Sequence, residues 1–380
     1  MTADHDRFEP RLNLYIMRTV LPGLFFTCLL VFVFSAVTAA HDANKPPQIK
    51  FYKASDQKIR YTGRVDFTNT DLPRFWAPGV YINAVFTGPS VLLDINDEAA
   101  DGKNHNYISV QIDDLPVKRI KLKSNHNFIE AASGLSKGPH HLMICKSTES
   151  GIGYLEFAGL HCEKLINLPA APARKIEYIG DSITCGTGSD SSEFTCGSGE
   201  WYDQHNAMMS YGPLTSRALN AQWQLTAVSG IGLTKSCCEM KVIMPDVVDK
   251  VNMRDNLILW DFEKYQPDVV TVCLGQNDGI QDSTVFCTAY FKFLQRLRAY
   301  YPLASIICLT SPMANDELAA VQQKQLLAIN NAAWGIGDRN IYHYAFSKRF
   351  HHGCGDHPDL AEHQQISAEL SAFIKKTKNW

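Results

Sequence analysis

The chain has 380 residues, 45% hydrophobic and 20% charged. That is apolar content for a full core and excludes a disordered or fibrous polymer, and the length favours two domains over one. Lys and Arg number 36 against 39 Asp and Glu, a net charge of −3, so the concentrated basic excess that nucleic acid or an anionic membrane requires is missing and a neutral partner is expected.

Residues 20–40, VLPGLFFTCLLVFVFSAVTAA, carry no charge, follow Arg18 and end in the small residues Val37-Thr38-Ala39. This reads as a secretory signal over residues 1–40, cleaved near Ala39 or Ala40, with Met17 an alternative start. The competing reading is an uncleaved anchor, because the run approaches the roughly 20 residues that span a bilayer. Of eleven cysteines, Cys28 leaves with the signal. Cys145, Cys162, Cys185, Cys196, Cys237, Cys238, Cys273, Cys287, Cys308 and Cys354 remain available for disulfides in an exported protein. Cys273 and Cys308 lie in apolar strand-like runs and are expected as buried thiols.

Residues 48–166 carry short segments of two-residue period, VYINAVF, SVLLDI, YISVQI, PVKRIKL and HHLMIC, separated by Gly, Pro, Asn and Asp. Such spacing predicts an antiparallel sandwich or barrel. The Pro/Ala stretch NLPAAPARK, Asn167 to Lys175, is a connector. Over residues 173–380 the pattern changes: KIEYIGD, WQLTAVS, DVVTVCLG, SIICLT and IYHYAF read as strands buried on both faces, with helices over Thr284 to Tyr300 and Asp359 to Lys375. In the first helix Phe286, Tyr290, Phe293, Leu294 and Leu297 share one face. Strands alternating with helices predict a mainly parallel sheet covered by helices, which collects its ligands at the carboxyl ends of the strands.

Those strand ends carry Gly180-Asp181-Ser182, Ser229-Gly230-Ile231-Gly232 and Gly275-Gln276-Asn277-Asp278, and a late loop carries His351-His352-Gly353-Cys354-Gly355-Asp356-His357-Pro358. Ser182 offers a hydroxyl nucleophile, His357 a base near neutral pH, and Gly230 with Asn277 N–H donors for an oxyanion. Each has a plainer reading alone: Ser182 a helix N-cap, Asn277-Asp278-Gly279 a turn, His357 a surface histidine. Trp201, Tyr202, Tyr211 and Trp260 are candidates for a sugar site, although aromatics are mostly core.

GDSI, the glycine after the second strand, GQND and DHP occur in the order of the four blocks of the GDSL, or SGNH, hydrolases, and the resemblance runs from Lys175 to the C-terminus. YTGRVDF, RFWAPGVYINAVFTG and VQIDDLPV look like the β-sandwich that precedes the hydrolase domain in the second family of carbohydrate esterases. The resemblance implies a jelly-roll-like sandwich followed by an α/β/α SGNH domain. It makes Ser182 the nucleophile, His357 the base, and the Ser182 N–H, the Gly230 N–H and the Asn277 amide the oxyanion donors, with Gly232 as the fallback glycine. The implied function is a secreted or periplasmic esterase acting on acetylated carbohydrate without metal or cofactor, with no nucleic-acid partner and no stable membrane partner once the signal is cleaved. Hydrolases of this class commonly place an aspartate two or three residues before the histidine, but Gly355 and Cys354 occupy those positions. Asp356 and Asp359 are the remaining candidates to orient the ring, and a Ser182–His357 dyad is expected. Two further readings stand beside this one: a metal site drawn from His351, His352, Cys354, Asp356, His357 and His363, and a carbohydrate-binding sandwich joined to a vestigial hydrolase.

Overall fold

A computed structural model of the chain describes residues 48–253 and 257–380. The expected signal over residues 1–40 lies outside them. Ile49 to Trp380 fold as one compact unit. Its antiparallel part holds eleven strands: β1 (Lys50–Lys53), β2 (Arg60–Thr62), β3 (Arg74–Phe75), β4 (Tyr81–Thr87), β5 (Val91–Asp97), β6 (Tyr107–Ile112), β7 (Lys118–Lys121), β8 (His126–Ala132), β9 (Pro139–Lys146), β10 (Leu155–Cys162) and β11 (Lys164–Ile166). One sheet runs β1-β10-β5-β8 with β3 on β10, and the other runs β11-β4-β9-β6-β7 with β2 on β4. Along β5 every second residue is buried, as a strand with one solvated face requires. By contrast β4 is buried almost throughout, since Ile82, Ala84 and Phe86 enter the sandwich core while Tyr81 stacks on Trp223 of the second half.

The second half contains a parallel sheet of β12 (Arg174–Gly180), β13 (Ala221–Ala227), β14 (Val269–Cys273), β15 (Ser305–Leu309) and β16 (Ile341–Tyr344), in the order β13-β12-β14-β15-β16. Its helices are α1 (Ser182–Cys185), α2 (Tyr211–Ala218), α3 (Met244–Val247), α4 (Ser283–Tyr300), α5 (Asp316–Gly335) and α6 (Leu360–Lys378). Alternate strand residues face opposite ways. Ile179, Val270, Val272 and Ile306 pack with Phe286, Tyr290, Leu326 and Ile329 of α4 and α5. Tyr178, Val269, Ile307 and Leu309 pack with Tyr211, Ile366 and Leu370 of α2 and α6. The result is the three-layer α/β/α arrangement that the alternating pattern predicts. From β12 the chain moves first to the neighbour on one side and then to β14 on the other, so the order reverses at β12, and a crevice opens at its carboxyl end.

Arg64 joins the halves. Its Nη1 donates to the carbonyls of Val248 and Lys250 at 2.7 Å each and its Nη2 to Glu177 Oε1 at 3.1 Å. Trp223 Nε1 donates to the Gly79 carbonyl at 2.9 Å, and the Tyr107 hydroxyl and Lys121 ammonium both reach Asp203 Oδ1 at 2.7 Å. Among the described cysteines, Cys196 is bonded to Cys354 and Cys237 to Cys238, while Cys273 and Cys308 are buried thiols.

Candidate active site

At the end of β12 the Asp181 carboxylate caps the following turn by accepting the Ile183 N–H at 3.1 Å. Asp181, not the serine, therefore does the N-capping, which leaves the Ser182 hydroxyl free for other work. Ser182 is 7% exposed. A side chain at Gly180 would collide with the Thr184 hydroxyl, so glycine lets the turn fold tightly against the strand. Burial, reinforced by the charge of Asp278, pushes the Asp181 pKa up to about 7.

His357 Nε2 lies 2.8 Å from Ser182 Oγ, and Nδ1 lies 3.2 Å from the Cys354 carbonyl. A carbonyl only accepts, so Nδ1 carries the hydrogen and Nε2 presents its lone pair to the serine O–H. Burial holds the imidazole pKa below its ordinary value against the opposing pull of the Cys354 and Gly355 backbone. The neutral ring is the form a base needs. Asp356 has φ 58°, and among the described residues no hydrogen bond joins its carboxylate to the ring. Asp359 caps α6 instead, accepting the Glu362 N–H at 2.7 Å. The histidine loop is braced by the Cys196–Cys354 disulfide and by bonds from Cys354 N–H to the Gly188 carbonyl, 2.8 Å, and from Gly353 N–H to the His357 carbonyl, 2.7 Å. Gly188, at φ +66°, allows this approach, since a Cβ there would strike the Cys354 carbonyl oxygen.

On the other side of Ser182 stands the loop after β13. Gly230 lines the crevice together with Ser182, Asn277 and His357. The Gly232 N–H is already donated to Ser236 Oγ at 3.1 Å, so the first glycine of SGIG is the one in position. Asn277 Nδ2 donates to the Ile231 carbonyl at 2.9 Å and makes a longer 3.3 Å contact with Asp181 Oδ2. Asp278 accepts the N–H groups of Leu233, Thr234 and Lys235 and the Thr234 hydroxyl. A charged acceptor for several donors makes the loop rigid.

The crevice encloses about 600 Å³ and is lined also by Glu149, Trp201, Gln276, Met240, Met313 and the Cys237–Cys238 pair. Of the four aromatic candidates only Trp201 stands at it, 56% exposed. Tyr202, Tyr211 and Trp260 are corrected to core positions: Tyr202 packs with Tyr107 and Ile152, Tyr211 bonds Thr184 inside the α2/α6 layer, and Trp260 packs against Trp76, Val251 and Tyr265. The cluster at residues 351–363 does not converge either. His352 Nδ1 is bonded to Glu362 Oε1 at 2.5 Å, Cys354 is in a disulfide, and His363 Nδ1 accepts the Tyr211 N–H at 3.1 Å. Among the described residues no three of His, Cys, Asp and Glu are grouped as metal donors.

Sequence reasoning overlooks Glu149, Asp278 and the Cys196–Cys354 bond. Asp278 was legible as the residue after Asn277 in GQND. Glu149 was not, because it comes from the antiparallel half and nothing in CKSTES marks it.

Both halves of the chain match known protein families. Residues 61–172 match the family described as carbohydrate esterase 2 N-terminal, and residues 178–366 match the GDSL-like lipase/acylhydrolase family. The chain is 31% identical over 336 residues to the cellulase/esterase CelE of Acetivibrio thermocellus, covering 85% of this chain but only 40% of that longer protein. It is 26% identical over 343 residues to an acetylxylan esterase/glucomannan deacetylase of Cellvibrio japonicus, 86% of this chain and 91% of that one. The solved structure of a family two carbohydrate esterase from Clostridium thermocellum in complex with cellohexaose superposes with a TM-score of 0.78 at 30% identity, over 85% of this chain and 99% of that one. Both halves thus match in order, and a family member aligns over nearly its whole length: the chain belongs to family 2 of the carbohydrate esterases.

Proposed function

We propose that the protein is a secreted serine esterase that removes acetyl groups from carbohydrate through an acyl-enzyme. One observation carries the reading: Ser182 Oγ and His357 Nε2 are 2.8 Å apart in a crevice that also holds Gly230 and Asn277. Ser182 Oγ attacks the acetyl carbonyl as Nε2 takes its proton, and the Ser182 and Gly230 N–H groups serve the oxyanion that forms, with the Asn277 amide joining them by giving up its longer 3.3 Å bond to Asp181 Oδ2. The imidazolium returns the proton to the departing sugar oxygen, leaving acetyl-Ser182. Water then attacks this ester, His357 takes a proton from the water, and collapse releases acetate and passes the proton back to Oγ.

The names of the relatives, acetylxylan esterase and glucomannan deacetylase, support an acetylated polysaccharide as substrate. Trp201 at the rim supplies an exposed ring face on which a sugar can stack. Secretion is supported by the uncharged run at residues 20–40 and by the Cys196–Cys354 disulfide, which suits an oxidising compartment. Purified protein should release acetate from acetylated xylan, glucomannan or small acyl esters, and Ser182→Ala should abolish this while leaving the circular dichroism spectrum unchanged. Absence of turnover on every short-chain ester would defeat the reading. N-terminal sequencing of exported protein should begin at Ala40 to Asp42, and a native chain still starting before Met17 would contradict cleavage.

A further inference from the structure

Glu149 is a buried carboxyl group for which the reaction just described has no use. It lies just beyond β9 in the antiparallel half, yet its side chain lines the catalytic crevice of the other half and is 3% exposed. Oε2 accepts the Ser229 N–H at 2.7 Å and the Cys185 thiol at 3.7 Å. Oε1 faces His205 Nε2 at 4.0 Å, and burial pushes the pKa of that ring down to about 3, so it is neutral.

Ser229 immediately precedes Gly230, and the peptide between them carries the Gly230 N–H. The loop around that peptide is fixed at successive points. Glu149 holds the Ser229 N–H, Thr187 Oγ1 meets Ser229 Oγ at 2.7 Å, the Cys237 N–H donates to the Gly230 carbonyl at 2.8 Å, and Asn277 Nδ2 donates to the Ile231 carbonyl. Three of these partners belong to the α/β half, but the anchor on the N–H side comes from the sandwich. We infer that Glu149 is a positioning residue for the oxyanion hole: by holding the Ser229 N–H, it fixes the Val228–Ser229 peptide, one residue ahead of the Gly230 N–H, and so limits the turning of Ser229 that would swing the Gly230 N–H away from the acyl oxygen. The inference rests on the esterase reading and deepens it, because it makes the antiparallel half part of the catalytic apparatus.

The role is that of an acceptor and not of a charge or a base. No hydrogen bond links Glu149 to Ser182 or His357 among the described residues, and Oε2 is already committed to Ser229. A negative charge at this place would oppose the developing oxyanion, whereas burial raises the Glu149 pKa and favours the neutral acid, whose carbonyl oxygen still accepts an N–H. An amide can do the same work. Removing the acceptor altogether loosens the loop ahead of Gly230, and the loss falls on the transition state, where the oxyanion exists, rather than on bound substrate.

The test uses the full chain, one acetyl ester and three variants. Glu149→Gln should keep kcat within about threefold of wild type. Glu149→Ala should lower kcat about 10- to 100-fold, short of the full effect of deleting an oxyanion donor, with KM within about twofold. Glu149→Asp, which withdraws the oxygen by one methylene but keeps the acid, should also be slow, and it carries the comparison if the alanine variant does not give a cooperative melt. A methylboronic acid, which adds to the serine as a tetrahedral anion, should lose affinity for the slow variants by the same factor as kcat, while binding of the deacetylated sugar stays unchanged. Wild-type kcat in a folded Glu149→Ala or Glu149→Asp would overturn the inference, as would Gln as slow as Ala, since that would make the charge the working feature. A wild-type protein with no ester turnover would instead defeat the esterase reading itself.

Discussion

Asp356 and His357 show how little sequence adjacency says about partnership in a loop. Asp356 takes a left-handed conformation, φ 58°, and His357 an extended one, φ −80° and ψ 161°, and the ring bonds the carbonyl of Cys354, while the Asp356 carboxylate acts on it only through its charge. A carbonyl fixes the tautomer as well as a carboxylate does, but carries no charge to stabilise the imidazolium. Asp356→Ala should therefore leave kcat within about threefold of wild type, an arrangement unlike a triad, in which losing the acid costs about 10⁴, whereas His357→Ala should be nearly inactive. Assays of both folded variants on the same acetyl ester decide the matter, and equal damage would place Asp356 on the ring. The pH profile follows from the same geometry. Burial lowers the His357 pKa from its ordinary 6.5, so the neutral base persists as pH falls, and the acid limb of kcat/KM should have its midpoint below 6.5. A limb near pH 7 that disappears in Asp181→Asn would instead report Asp181, whose carboxyl titrates at about 7.

The element that presents His357 is a loop with a short 3-10 turn, Cys354–Asp356, whose start is tied to α6 where Glu362 accepts the His351 and His352 N–H groups. Its position depends on the bond from Cys354 to Cys196, 158 residues away, and on the backbone bonds to Gly188 and within the loop. Replacing both cysteines by serine should lower the melting temperature, because a cross-link of this kind stabilises by about 2–4 kcal/mol. It should also lower kcat by roughly tenfold or more, since small displacements of a catalytic group are costly. Circular dichroism melts and kinetics with and without a dithiol reductant would check both, and unchanged kcat would show that the backbone bonds hold the ring alone. The sequence shows this half of the fold unevenly. All five parallel strands are legible, four of them from burial on both faces, while β16, expected to be buried likewise, is an edge strand in which only Ile341 is buried and is legible from its aromatic run; α4 is legible because its apolar stripe is uninterrupted. In α5, Gln322, Gln325 and Asn330 occupy buried positions and blur the stripe. In the antiparallel half, β10 shifts register between Phe157 and Gly159 and β8 shows Phe128 to solvent, so neither keeps a clean two-residue period. The site divides the same way. Ser182, Gly230, Asn277 and His357 stand at predictable strand ends and in a late loop, whereas Glu149 enters from another sheet, and composition alone cannot separate Trp201 at the rim from Tyr202 in the core.

At the scale of the molecule, the question is why the two halves behave as one unit. The centre of their junction is ionic: the Arg64 and Glu177 side chains are fully buried and 3.1 Å apart. Arg64 also donates to the Val248 and Lys250 carbonyls, while Glu177 Oε1 accepts from Gln224 and Thr226 in the neighbouring strand. Breaking such a pair by removing one partner leaves an uncompensated buried charge and costs about 3–5 kcal/mol, whereas removing both charges costs far less. Arg64→Met should thus lower the unfolding midpoint sharply, and Glu177→Gln in that background should recover part of the loss, because the amide oxygen can still accept from Gln224 and Thr226. Wild type should unfold in one transition by calorimetry and fluorescence, since a cut through this junction exposes charge on both sides. Below its midpoint, Arg64→Met should keep its kcat, because Glu177 lies within β12, away from the strand end that presents Ser182. If Arg64→Met/Glu177→Gln is no more stable than Arg64→Met, the loss arises from the two orphaned carbonyls rather than from the carboxylate, and the junction is held by hydrogen bonding and not by charge.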